Sequence, residues 1–324
     1  MKRRQFIQTA VGAGSLLILP VSLKAFAGSE KQNLKFGICA DIHKDIMHDS
    51  DERLQTFIDK ASARDLDFII QLGDFCRPYD YNRKFLSIWN SYPGKKFHVI
   101  GNHEMDGGFS RKDVIRFWNI PEQYYSFNSN GFHIIVLDGN DKNHSKHRAA
   151  GYARYIGDKQ IKWLKKDLKS THLPCLVFSH QSLEKNRDGI ENREQIRALL
   201  EAENSAAGAT KIVACFSGHH HTDYATNING IYYIQINSMS YKWMGKDWQV
   251  VRYSKAIDEK YPYIKFTAPF KDPLFAFVEI NAENLKIEGK KSTFVGITPK
   301  EMGYPERPPN NPVTSVISDR NLKI

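Results

Sequence analysis

Phe97-His98-Val99-Ile100-Gly101-Asn102-His103-Glu104 is an apolar run that stops abruptly at a cluster of polar side chains. Its first half fits a short buried strand, so Asn102 and His103 fall on the loop at the strand's carboxyl end. Open α/β sheets place their ligand chemistry at such ends. Four other runs stop in the same way. They are 36–40 before Asp41-Ile42-His43, 68–72 before Gly73-Asp74, 175–179 before His180, and 211–217 before Gly218-His219-His220-His221. Each ending alone is a weak signal, because Gly-Asp, Gly-Asn and Asp-x-His are common in turns. Five together form one constellation of metal-type ligands.

Between these strands lie helical patterns. Leu54, Phe57, Ile58 and Ala61 recur at helical spacing in 50–63, with Asp51 and Glu52 in the first turn. Further helices are predicted at 80–89, 111–118, 158–168 and 191–201. Strands are predicted at 124–127, 132–137, 231–236, 274–280 and 285–288. Strand–helix alternation followed by antiparallel pairs predicts an α/β fold of mixed sheets with helices outside.

The chain has 324 residues, 41% hydrophobic and 25% charged, enough for one large core. Residues 28–300 read as that domain with accessory carboxyl-terminal strands, and 301–324 as an extended tail rich in Pro and Asn. Residues 1–27 read as a targeting segment. Lys2-Arg3-Arg4 precede an apolar stretch too short to span a bilayer, and Ala25-Phe26-Ala27 gives a cleavage site. Arg3-Arg4-Gln5-Phe6-Ile7 resembles a twin-arginine export signal, which predicts a periplasmic or extracellular protein. Membrane contact is then expected only through this segment, if it stays uncleaved. Four of the 46 Lys and Arg residues lie in 1–27, which carry no acid, so the formal +10 falls to +6 for the rest. That suits an anionic substrate, while no basic run with interleaved aromatics marks an extended nucleic-acid surface. The four cysteines make no C-x-x-C pair, and Cys39, Cys175 and Cys215 sit inside apolar runs. Buried free thiols are expected.

Asp41 with His43, and His219 with His221, stand two residues apart, and in extended strand ends such pairs point the same way. The same alternation turns His220 aside. Asp74 has two oxygens and can bridge two cations, with Asn102 and His180 adding an amide oxygen and an imidazole. Such a set suffices for a two-metal phosphoryl-transfer site, and mixed N and O donors suit Mn, Fe or Zn.

These residues carry a resemblance. Asp41-x-His43, Gly73-Asp74, Gly101-Asn102-His103-Glu104, His180 and Gly218-His219-x-His221 resemble the motifs of the calcineurin-like metallophosphoesterases, over about 34–243. Asp158-x-Gln160 with Trp163-Leu164 looks like a variant of another motif of that family. The resemblance implies a two-sheet β-sandwich flanked by helices and a centre of two divalent or mixed-valence transition-metal ions. Asp41, His43, Asp74 and His221 would hold one ion; Asp74, Asn102, His180 and His219 the other. His103 would face the substrate as phosphate-binding cation and general acid, and Glu104 would orient it or a ligand histidine. The expected activity is hydrolysis of a small phosphate ester or nucleotide-like diphosphate by a metal-bound hydroxide. The alternatives are a cyclic-nucleotide phosphodiesterase or nuclease, and a non-catalytic metal- or phosphate-binding protein of the same fold. Arg154 and Tyr155, in a polar insertion at 139–157, and Tyr241 and Trp243 are the candidate substrate contacts.

Overall fold

The computed structural model describes residues 33–145, 151–305 and 312–324. The expected export signal at 1–27 lies outside the described residues. The chain begins with β1 (Asn33–Cys39), α1 (Ser50–Ser62), β2 (Phe68–Gln71), α2 (Arg83–Asn90), β3 (Lys95–His98) and α3 (Arg111–Trp118). Next come β4 (Tyr125–Ser129), β5 (Phe132–Val136), α4 (Asp158–Lys169), β6 (Cys175–Ser179), α5 (Arg193–Ala207), β7 (Ile212–Ser217), β8 (Tyr224–Ile228) and β9 (Ile231–Gln235). A subsidiary unit follows: β10 (Tyr241–Trp243), α6 (Lys255–Lys260) and β11 (Thr267–Pro269). The chain closes with β12 (Ala276–Asn281), β13 (Asn284–Glu288), β14 (Lys290–Lys291), β15 (Val316–Ile317) and β16 (Arg320–Lys323).

Two six-stranded mixed sheets result, ordered β16-β13-β12-β1-β2-β3 and β4-β5-β6-β7-β9-β8. The strands that carry the polar endings are parallel within each sheet: β1, β2 and β3 in the first, β6 and β7 beside β5 and β9 in the second. Their carboxyl ends therefore gather at one rim, as expected of parallel strands.

Alternation along the strands builds three layers of core. Leu34, Phe36 and Ile38 of β1, with Phe68 and Ile70 of β2, face Phe178 and Phe216 of the other sheet. The Phe36 ring stacks on Phe68 at 5.0 Å and meets Phe178 and Phe216 edge-on at 5.7 and 5.8 Å. Cys39 and Ile69 point the other way, under Leu54, Phe57 and Ile58 of α1 and Phe85 and Trp89 of α2. Ile135, Val177 and Cys215 do the same beneath Ile161, Leu164 and Leu168 of α4 and Ile196 and Leu200 of α5. Burial on both faces is why these strands read as unbroken apolar runs. All four cysteines are buried and free. Among the described residues no helix is long and apolar enough to cross a membrane.

The tail differs from expectation. Residues after 311 are pinned rather than loosely extended: β16 pairs antiparallel with β13, and Arg320 Nη2 lies 2.8 Å from Asp223 Oδ1. Asn237 Nδ2 donates to the carbonyls of Thr314 and Val316 at 2.9 and 3.0 Å. The tail thus clasps the segments that follow β7 and β9.

Candidate dimetal centre

The residues after the strands are not extended. Asp41, His43, Asp74, His219 and His221 all have φ between 45° and 67°, five of the nine described non-glycine residues with positive φ. Left-handed backbone costs about 1–2 kcal/mol at each such residue, and the surroundings hold it in place. Asp41 N–H donates to Gly73 O (3.1 Å) and His43 N–H to Asp74 O (2.9 Å). Ser238 Oγ donates to Asp41 O at 2.7 Å and Ser240 Oγ to Ile42 O at 2.8 Å. Lys242 Nζ donates to the carbonyls of His220 and His221 at 3.2 and 3.1 Å. The convergence of the i and i+2 side chains is real, but tight left-handed turns produce it, not strand alternation.

Two clusters of donor atoms result: Asp41, His43 and His221; and Asp74, His180 and His219. In the first, His221 Nε2 lies 3.1 Å from His43 Nε2 and 3.3 Å from Asp41 Oδ1. His221 Nδ1 donates to Tyr241 O at 2.8 Å, which leaves Nε2 a bare lone pair aimed inward. In the second, His180 Nδ1 is tied to Leu72 O at 2.7 Å. Its Nε2 lies 3.1 Å from His219 Nδ1, 3.1 Å from Asn102 Oδ1 and 3.2 Å from Asp74 Oδ2. Asp74 Oδ2 is also 3.7 Å from His43 Nε2, so one oxygen faces both clusters. Its other oxygen accepts from the His103 N–H at 2.9 Å. Buried imidazole nitrogens and carboxylates that face one another around one point are a donor set that a cation would fit. Burial and neighbouring imidazoles hold His43 and His219 well below the ordinary histidine range, as neutral ligands require.

The glycines of the motifs have a steric cause. A Cβ on Gly101 would overlap Asp74 N and Oδ1. One on Gly218 would stand 2.5 Å from Asp41 Oδ2, and one on Gly73 would stand 2.6 Å from His180 Nδ1. Each is bare because the side chain of a candidate ligand passes there. His220 turns aside, its Nε2 2.9 Å from Ser182 Oγ. Gln160 of the Asp158-x-Gln160 motif ties α4 to a strand end: Oε1 accepts Asp138 N–H at 2.9 Å and Nε2 donates to Asp138 O at 2.8 Å.

Glu104 does not orient an imidazole. Its buried Oε1 accepts the Phe75 N–H at 2.5 Å, beside Asp74, and burial with Asp74 nearby pushes its carboxyl up to about 8. The partner of His103 is Asp106, which sequence reasoning missed: His103 Nδ1 donates to Asp106 Oδ2 at 2.7 Å. Tyr152 Oη, from the insertion, lies 3.2 Å from His103 Nδ1 and 3.1 Å from Asp106 Oδ1. Arg77 Nη2 is 3.2 Å from Asp106 Oδ2. His103 Nε2 therefore points inward, 4.0 Å from Asp74 Oδ2, and the side chain is 31% exposed. Burial opposes its charge, but Asp74 and Asp106 outweigh it and raise the imidazole above its ordinary range. A small cavity between His43, Asp74, Arg77 and His103 adjoins the cluster.

The remaining candidate substrate contacts scatter. Arg154 and Tyr155 anchor the insertion: Arg154 O accepts Glu191 N–H at 2.6 Å, and Tyr155 pairs with Gly139 and Asp141 through its backbone. The Arg154 guanidinium lies 3.8 Å from Asp188. Tyr241 is buried and cannot meet a substrate face; its ring lies on His43 at 5.1 Å. Trp243 is 42% exposed.

The family profile of the calcineurin-like phosphoesterases matches residues 34–223, more than half of the chain. The chain belongs to this family. Among solved structures, a dimetal phosphatase from Danio rerio is similar with a TM-score of 0.58 and 14% identity, over 82% of this chain and 99% of its own. GAP50 of Plasmodium, described as the anchor in the inner membrane complex, is similar with a TM-score of 0.52 and 15% identity, over 83% and 90%. At such identities the likeness is one of fold. No curated protein matches the sequence.

Proposed function

We propose that this chain hydrolyses a small phosphate ester or nucleotide-like diphosphate at a centre of two transition-metal ions. The observation that carries the reading is that Asp74 Oδ2 of one donor cluster lies 3.7 Å from His43 Nε2 of the other, while His103 Nε2 stands 4.0 Å from the same oxygen. Asp41, His43 and His221 would hold one ion, His180, His219 and Asn102 the other, with Asp74 between them. Bound there, the ions would polarise the phosphoryl oxygens and acidify water.

The chain's own residues do the rest. His221 keeps its Nε2 lone pair inward because Tyr241 O holds the proton on its Nδ1. Asp106 holds the proton on His103 Nδ1, so a protonated His103 presents Nε2–H to the departing oxygen as general acid. Arg77 and Tyr152 hold Asp106 in turn. Against a non-catalytic role stands the complete donor set with an oriented acid beside it. The Lys2-Arg3-Arg4 start and Ala25-Phe26-Ala27 support an exported enzyme, by the twin-arginine route.

The test is a panel of monoesters, diesters and diphosphates on metal-reconstituted protein and His103→Ala. Turnover by the wild type, with two ions retained but turnover largely lost in the variant, is the expected result. Loss of metal from His103→Ala would make it a ligand and overturn its role.

A further inference from the structure

The two donor clusters are held by different parts of the chain. The run 237–241, which follows β9, serves the cluster of Asp41, His43 and His221. Met239 N–H donates to Ala40 O at 2.8 Å. Ser238 Oγ and Ser240 Oγ donate to the carbonyls of Asp41 and Ile42, and Tyr241 O accepts from His221 Nδ1. All three residues of this cluster have left-handed backbone, with φ of 52°, 53° and 45°, so each depends on such outside contacts. The cluster of Asp74, His180 and His219 is tied elsewhere. His180 Nδ1 donates to Leu72 O, and Asp74 Oδ1 accepts the His103 N–H.

The run is fixed in turn by the carboxyl-terminal segment. Asn237 is fully buried and its amide is saturated. Its Oδ1 accepts the Ser238 N–H at 2.9 Å, and Nδ2 donates to Thr314 O and Val316 O. One residue past His221, buried Thr222 donates through Oγ1 to Pro312 O at 3.1 Å. Asp223 then accepts from Ser318 Oγ and Arg320 Nη2. The segment itself is anchored on the first sheet, where β16 pairs with β13, and Ile317 sits in the core between the sheets. It therefore braces, from one sheet, the two turns that leave β7 and β9 of the other.

We propose that Asn237 and Thr222 are positioning residues through which the segment 312–324 sets the affinity of one ion, that of Asp41, His43 and His221, and leaves the other ion unaffected. This rests on the dimetal reading and adds that its two sites are separately controlled. Asn237 acts on Asp41 through Ser238, and Thr222 acts on His221 through the backbone it shares with it. A two-metal reaction needs both sites filled. A chain whose tail is displaced would therefore turn over only at raised metal concentration, although every donor side chain is still present.

The experiment titrates Mn²⁺ calorimetrically into metal-free protein with one site disabled at a time. His180→Ala leaves the site of Asp41, His43 and His221, and His43→Ala leaves the other. Adding Asn237→Ala to the His180→Ala protein is expected to weaken Mn²⁺ binding on the order of ten-fold, as for one or two lost hydrogen bonds. Adding it to the His43→Ala protein should leave Kd within about two-fold. Thr222→Val, which keeps the shape of the side chain, should act in the same direction with a smaller loss. Equal weakening at both sites would mean a general loosening and overturns the proposal, as does an unchanged Kd at the Asp41 site. If Asn237→Ala does not fold, as judged by circular dichroism, the same comparison with Thr222→Val decides. No uptake of Mn²⁺ or Zn²⁺ by the wild type would instead sink the dimetal reading, and the proposal with it.

Discussion

Replacing Asp106 by asparagine alters the contact that orients His103 while keeping the shape of the side chain. The bond from His103 Nδ1 to Asp106 Oδ2 is 2.7 Å long and joins a cation to a carboxylate. Hydrogen bonds to charged groups contribute about 1.5–3 kcal/mol and neutral ones about 0.5–1.5. Asp106 is a quarter exposed, so the lower part of that range applies. The difference, about 1 kcal/mol, corresponds to roughly a five-fold loss, and misorientation of the ring adds to it, so kcat is expected to fall on the order of ten-fold. The loss should be confined to esters with alkyl leaving groups; aryl esters, whose oxygen leaves without a proton, should change little. The sign of the pH effect is fixed as well. Burial lowers the His103 pKa while Asp74 and Asp106 raise it, with a net rise. Removing Asp106 deletes a raising influence, so the limb where the acid loses its proton should move to lower pH. The assay is kcat against pH for matched alkyl and aryl phosphates, with metal content measured on the same samples. An unmoved limb with equal losses on both esters would show that His103 is not the proton donor.

Other expectations follow from other contacts. His219→Ala and His221→Ala should each lose metal, while His220→Ala, whose Nε2 lies by Ser182, should keep both ions; elemental analysis decides. Gly101→Ala forces a methyl group into Asp74 and should cost at least about 1–3 kcal/mol in denaturant unfolding together with metal affinity. An undiminished midpoint with full metal would contradict that packing. Deleting 312–324 strips β13 of its outer partner β16 and Asn237 of two acceptors, a cost of at least about 1–3 kcal/mol, visible as a lowered Tm; an unchanged Tm would mean that the tail is not a clasp. Arg3→Lys with Arg4→Lys should block export yet leave a folded, active enzyme inside the cell. Continued export in a fractionation assay would point to the general secretory route.

Much of the fold was legible because β1, β2, β6 and β7 are buried on both faces, which writes each as an apolar run that stops where buried polar side chains begin. The candidate donor clusters were legible for the same reason, since Asp41, His43, Asp74, His180, His219 and His221 follow those endings. What was hidden depends on chain direction and long-range contact. Asp106 reaches His103 through a turn that ends at Gly107 and Gly108, both with positive φ, and Tyr152 arrives from an insertion 49 residues beyond His103. No local pattern marks either residue, although a carboxylate three residues after a histidine on a glycine-rich turn was a usable cue. Glu104 looked like a partner for an imidazole, but it turns inward to a backbone N–H. The tail's Pro and Asn content concealed β16, whose residues are at most half-buried and owe their strand to the β13 edge.

The central claim is that Asp74 serves two ions at once. The direct measurement is the metal-to-protein ratio, by elemental analysis, of reconstituted wild type and Asp74→Ala, with folding checked by circular dichroism. Two ions per chain in the wild type and depletion of both in the folded variant is the predicted result. One ion per chain in the wild type, or a variant that loses a single ion and keeps the other at full occupancy, would contradict it.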